Sequence, residues 1–159
     1  MSEELMLRPA STADLAFLVD GNAAMALETE GKTLDRKVLR QGVLGVFERP
    51  ERGFYLIAEQ ESRPLGCLLV TYEWSDWRNG DWWWLQSVYV VPEARRRGVF
   101  RALHAAVAQR ARTDGGVAGL RLYVERDNVR AQHTYFNLGM RETVYRLLEQ
   151  PYAPSGEDA

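Results

Sequence analysis

A chain of 159 residues, 46% hydrophobic and 26% charged, is long enough for one folded domain that buries about two-thirds of its unfolded surface. Its formal net charge of −2 gives no global basic field, which disfavours a general nucleic-acid binder. The single cysteine, Cys67, excludes an internal disulfide, and its apolar setting between Gly66 and Val70 makes it a small buried hydrophobe rather than a nucleophile. The acidic start MSEELMLRPA has no apolar core of signal-peptide length, and no apolar run reaches the span of a membrane helix. A cytoplasmic protein is therefore expected, with no membrane partner.

In chain order, Leu5 to Arg8 alternates as a short strand. STAD follows as a capping-box-like helix start, with Ser11 or Thr12 able to accept from free amides before the apolar stripe Leu15, Leu18, Val19. ETEGKT breaks that helix, and Thr33 can cap a second one running to about Phe47, weakened by Gly42 and Gly45. GFYLIAEQ and PLGCLLVTYEW are strand-forming runs at hairpin spacing, and Asn79-Gly80 favours a tight turn into WWWLQSVYVV, apolar enough on both faces to be a central strand. Beyond Gly98, Phe100, Leu103, Val107 and Ala111 recur at helical spacing until Asp114-Gly115-Gly116 stops them. GLRLYVE alternates as a half-buried strand, Asn128 to Leu138 reads as a helix ended by Gly139, and MRETVYRLLE reads as a last strand. The expected order is β-α-α-β-β-β-α-β-α-β in one mixed α/β (α+β) domain over residues 1–150, with 151–159 a frayed acidic tail.

The central strand runs directly into VVPEARRRGVF. A strand that stops where a helix starts leaves backbone N–H groups pointing out of the helix N-terminus, where the macrodipole adds partial positive charge. Gly98 permits close approach of a ligand to the main chain, and Arg95, Arg96 and Arg97 offer forked, charge-assisted bonds to phosphate oxygens. The alternative is a solvated surface turn. Neither the NTPase loop nor the dinucleotide-fold glycine pattern is present.

With these residues the chain resembles the GNAT superfamily of N-acetyltransferases, whose cofactor motif is a central strand, a Q/R-x-x-G-x-G/A loop and a helix. Here the loop reads Arg95-Arg96-Arg97-Gly98-Val99-Phe100, with Phe100 where the family has a small residue, its ring expected to turn into the core. ERDNVRAQHTYFNLGM is similar to the family's second motif, and the element order matches over residues 5 to 149. The resemblance implies a GNAT-like fold, a central mixed, mostly antiparallel sheet flanked by helices, that transfers acetyl from acetyl-CoA to a primary amine of a small molecule or peptide. It further implies that the main chain at Val88, Tyr89 and Val90 meets the pantetheine arm. Amides from Val99 to Ala102, with Arg95, Arg96 and Arg101, then hold the diphosphate, and no metal takes part.

At 100° per residue Asn128, Ala131 and Tyr135 fall within about a 60° arc and look the same way. By resemblance Tyr135 is the general acid for the departing thiolate, a role suited to a phenol protonated at neutral pH; otherwise it is a core aromatic. Asn128 caps its helix and can still touch cofactor. The central strand carries no strong base at Trp82 to Ser87, so Glu28 and Glu73 are the favoured carboxylates, set against solvated surface acids. His104 reads as packed, and His133 points away from the Tyr135 face. Five tryptophans crowd EWSDWRNGDWWW, as sheet packing, a homodimer contact, or an aromatic wall for a cationic amine. The competing function is a catalytically idle CoA-binding module of the same fold; an arginine-patch nucleic-acid binder is disfavoured by the acidic segments nearby.

Overall fold

The computed structural model describes residues 4–152, and these fall into two compact units, one through Tyr123 and one from Val124 onwards. In the first unit, β1 (Met6–Pro9) leads through a 3-10 turn to α1 (Leu15–Glu30) and α2 (Arg36–Glu48). Then come β2 (Gly53–Gln60), β3 (Arg63–Ser75), β4 (Gly80–Val90), α3 (Val99–Asp114) and β5 (Val117–Arg121). The sheet has the order β1-β2-β3-β4-β5, with every neighbouring pair antiparallel except β4 and β5, which are parallel.

Strand alternation divides the sheet's side chains between two helical layers. On one face Leu56, Ala58, Leu68, Val70, Trp83 and Leu85 pack against Val99, Leu103, Val107 and Ala111 of α3. The other carries Tyr55, Ile57 and Cys67 against Leu18 and Val19 of α1 and Val43 of α2. β4 meets both layers, through Trp83 and Leu85 on the α3 side and Tyr89 on the α1 side.

β4 carries one irregularity that its sequence pattern does not signal. Leu69 opposes Ser87 while Val70 opposes Leu85, so Gln86 is an extra residue, a β-bulge. The bulge reverses the strand's parity: Trp83 and Leu85 face α3 before it, Val88 and Val90 after it.

The expected capping box forms at Ser11. Its Oγ accepts from Ala13 N–H at 3.3 Å, while the Asp14 carboxylate accepts from Ser11 N–H at 2.8 Å and from Arg8. The second helix is capped by Asp35 rather than Thr33. The Asp35 carboxylate stands next to the first turn and accepts from both Lys37 and Val38 N–H, where its charge also complements the helix dipole.

The second unit contains α4 (Val129–Asn137), begun by the Asn128 side chain accepting from Ala131 N–H at 3.1 Å and followed by left-handed Gly139. The last strand expected at 140–149 does not form. A strand needs a partner ladder for its backbone, and here no strand is paired while Val144 and Leu148 stand exposed. The strand expected at GLRLYVE ends at Arg121, and its start lies earlier, at Val117. Of the frayed tail expected at 151–159, residues 153–159 lie outside the described residues.

Gly21 on α1 faces Tyr89, where an added Cβ would lie 2.8 Å from the ring's Cδ1. Exposed Gly42 on α2 has nothing within 4 Å of its Cβ position. Helix propensity alone favours alanine at either site by about 1 kcal/mol. Gly42→Ala is therefore expected to raise the urea denaturation midpoint, and Gly21→Ala to lower it because the ring must shift; two increases would contradict this packing.

Candidate functional site

β4 ends at Val90, and Pro92 opens a 3-10 turn, Pro92–Ala94, that carries the chain to the arginines. Ala94 is buried, as is Val99 at the start of α3, so the turn between them is pinned by two apolar anchors. Arg96 and Gly98 both take left-handed backbone, with φ of 62° and 82°. At Gly98 this conformation favours glycine, and at Arg96 it is strained. Among the described residues no side chain caps α3 and nothing lies within 4 Å of the Cβ position of Gly98, which leaves space at the helix N-terminus. Arg96, Arg97 and Arg101 are exposed around it. Such a terminus, with its first-turn amides and positive dipole end, suits an anion.

Two residues assigned to this seat on sequence have other commitments. The Ala102 N–H donates to the Gly98 carbonyl at 3.0 Å, because it lies one full turn into the helix; its amide belongs to the helical ladder. Arg95 turns back along β4, with Nε donating to the Val90 carbonyl at 2.9 Å and Nη2 to Glu28 at 2.7 Å. Phe100 packs against the α3-side core, as expected for a ring in place of a small residue.

Backbone direction alternates along β4. Val91 N–H donates to Leu65, so Val91, Tyr89 and Ser87 direct their main-chain groups to β3, whereas Val90 and Val88 direct theirs to the opposite edge. Among the described residues the ladder to β5 runs only from Asp81 to Trp84, so beyond Trp84 that edge carries no strand partner. Val88 thus presents main-chain groups to the gap, the Val90 carbonyl is shared with Arg95, and the Tyr89 main chain is committed to β3. The Tyr89 ring packs with α1, and burial raises its phenol above the ordinary value.

Where the β4–β5 ladder ends, a polar and aromatic cluster gathers on the side of the sheet opposite α3. Glu73 accepts from the Trp84 indole N–H at 2.6 Å and from Arg121 at 3.2 and 3.3 Å. The Arg121 guanidinium lies 3.9 Å from the Trp82 ring centre and Arg78 5.0 Å, while Trp84 and Tyr123 have centroids 4.5 Å apart. Sequence reading found Glu73 and the tryptophans but not Arg121, which alternation marked only as the polar side of a strand. Trp83 is buried in the core, whereas Trp74 and Trp77 are exposed by 61% and 86%. One cluster of tryptophans thus divides into packing, stacking and open surface.

In the second unit, Tyr135 lies on α4 and burial raises its phenol above the ordinary value. Asn128 caps that helix. His133 is exposed; His104 in the first unit is half-buried beside Phe100, and burial lowers its imidazole below the ordinary value. Among the described residues no group of three or more His, Cys, Asp or Glu could hold a metal ion, and no helix is long and apolar enough to cross a membrane.

The family model described as "Acetyltransferase (GNAT) family" matches residues 22–140, most of the chain and all of the turn just described. The chain belongs to the GNAT acetyltransferase family. Mycothiol acetyltransferase of Rhodococcus opacus (strain B4) is 31% identical over an alignment 154 positions long, and the match covers 83% of this chain and 50% of that protein. The chain therefore spans about half the length of that curated relative. A possible acetyltransferase from Clostridium difficile 630 superposes with a TM-score of 0.89 at 38% identity, covering 95% of this chain and 99% of that one. An aminoglycoside N-acetyltransferase in complex with CoA superposes with a TM-score of 0.77 at 16% identity, covering 96% and 98% of the two chains, a likeness of fold.

For a GNAT protein with one cysteine, the position of that thiol excludes a covalent enzyme intermediate through it. Cys67 is 2% exposed, and burial pushes its thiol up to about 12. Since the thiolate is the reactive form, the native protein is expected to resist iodoacetamide near pH 8 and the urea-unfolded chain to react fully. Rapid native labelling would contradict the burial.

Proposed function

We propose that this GNAT protein is an acetyl-CoA-dependent N-acetyltransferase acting on the primary amine of a small molecule. The observation that carries the reading is the β4–α3 turn: an uncapped helix N-terminus behind left-handed Gly98, ringed by Arg96, Arg97 and Arg101, at the place where the family motif predicts the diphosphate. The amides of Val99, Phe100 and Arg101 belong to its first turn and are assigned to the diphosphate oxygens. Val88 offers its main chain to the pantetheine amides along the open edge of β4. Relatives named for mycothiol and for aminoglycosides support a small-molecule acceptor over a protein one.

In this reading the neutral amine attacks the thioester carbonyl. The new C–N bond forms, the C–S bond breaks, and the thiolate takes its proton from Tyr135. Burial that raises the phenol keeps it protonated across the neutral range, as a proton donor must be. A backbone N–H at the Gln86 bulge, where regular pairing is interrupted, is assigned to the developing oxyanion. Of the two favoured carboxylates, Glu73 is kept as the group that draws off the amine's proton through water. Its side chain is 45% exposed, and it is fixed by Trp84 and Arg121. Single-domain organisation over residues 1–150 and a homodimer joined through exposed Trp74 and Trp77 are part of the same proposal.

Purified protein with acetyl-CoA and a panel of amines, polyamines, amino acids and peptides, read by mass spectrometry, is expected to give a product heavier by one acetyl group. Tyr135→Phe should lower kcat by on the order of a hundredfold, with the folded state retained. Glu73→Gln, which keeps an acceptor for the Trp84 indole, should also lower kcat on the order of tenfold or more. CoA uptake without transfer to any amine, and no effect of Tyr135→Phe, would instead fit the idle binding module.

A further inference from the structure

Arg95 is the first arginine of the turn, and its side chain leaves it. Besides its bonds to the Val90 carbonyl and to Glu28, its guanidinium carbon stands 5.8 Å from the centre of the Tyr89 ring. All three partners lie on β4 or α1. At 100° per residue, Phe17, Gly21 and Glu28 share about a 40° arc of α1. One face of that helix therefore meets Tyr89 through Phe17 and Gly21 and reaches Arg95 through Glu28.

The residue that follows Arg95 is the strained one. A left-handed non-glycine backbone such as that of Arg96 persists only where its surroundings over-determine it. Downstream, the turn is anchored by buried Val99. Upstream, the anchors are buried Ala94, the Arg63–Glu93 ion pair and the Arg95–Glu28 pair. The last of these ties the turn to α1, and it does so at the residue bonded to Arg96.

We propose that Glu28 is a positioning residue for cofactor binding: it fastens Arg95 to α1, and so holds residues 95–98 in the form that presents the first-turn amides of α3. The proposal rests on the reading of that terminus as the diphosphate seat. It gives Glu28 a task other than the base role suggested by sequence, because its Oε2 already accepts from a guanidinium that is itself bonded to β4. Both side chains of the pair are 42% exposed, so the effect is graded rather than all-or-none.

The test uses the full chain, with calorimetric titration of CoA and initial rates against acetyl-CoA for Glu28→Ala, Glu28→Gln, Arg95→Gln and the double variant Glu28→Ala/Arg95→Gln. Glu28→Ala is expected to raise both the Kd for CoA and the KM for acetyl-CoA about three- to tenfold, the change falling on KM rather than kcat. Glu28→Gln, which keeps an acceptor for Arg95, should change them less. Once Arg95 is replaced, Glu28→Ala should add nothing. An unchanged Kd with a lowered denaturation midpoint would mark the pair as merely structural and overturn the proposal. A collapse of kcat at constant KM, with loss of the acidic limb of the pH profile, would overturn it in favour of Glu28 as base. Wild-type protein that takes up no CoA would overturn the diphosphate reading and this proposal with it, whereas normal wild-type uptake with unaltered Glu28 variants overturns this proposal alone.

Discussion

The passage from β4 to α3 has to join a central strand to a helix with one buried face within eight residues, 91–98, while leaving the helix N-terminus open. Left-handed Gly98 makes that geometry possible, and Ala94 and Val99 hold its two ends in the core. A side chain that capped α3 would close the first-turn amides to any ligand, and the described residues supply none. The exposed Arg96, Arg97 and Arg101 add charge where the dipole already favours an anion. A chain with a net charge of −2 can therefore hold an anion locally without a basic surface.

The rest of the site follows from how β4 is held at its two ends. At its start it is paired on both sides, to β3 and to β5, and the Glu73–Arg121–Trp84 group ties all three strands together where the β5 ladder stops. Beyond that point one edge is open, and the Gln86 bulge changes which side chains face α3. At the far end, Arg95 ties the emerging turn to Val90 and to Glu28 on α1. Both clamps use a carboxylate to hold an arginine that also stands over an aromatic ring, Trp82 in one case and Tyr89 in the other. In partly exposed settings, such pairs contribute direction more than stability.

Much of this was legible in the amino-acid sequence because it rests on local chemistry. Ser11 with Asp14, the hairpin runs, the Leu103-Val107-Ala111 stripe and Gly115 all act over a few residues, and each appears where its pattern predicts. Asn79-Gly80 does so in part: left-handed Asn79 ends the turn, but Gly80 already belongs to β4, opposite Ser75. The arginine-glycine turn was legible for the same reason. Features that depend on long-range pairing were not. The bulge at Gln86 leaves no composition signal in an already apolar strand, and it is defined only by the offset between Ser87 and Leu85 against β3. The bond between Glu28 and Arg95 joins residues 67 apart, and that between Glu73 and Arg121 residues 48 apart. Residues 140–149 mislead in the opposite direction: MRETVYRLLE reads as a strand, but strand formation is decided by an available partner edge.

The claim on which the account stands is that the first turn of α3 receives the diphosphate of coenzyme A. Amide resonances followed during titration with CoA test it most directly, since hydrogen bonding to phosphate oxygen displaces an N–H signal strongly and locally. The account predicts saturable shifts that are largest at Gly98, Val99, Phe100 and Arg101 and small at the β1–β2 edge of the sheet. Saturation of CoA binding that leaves those four amides unmoved would contradict it.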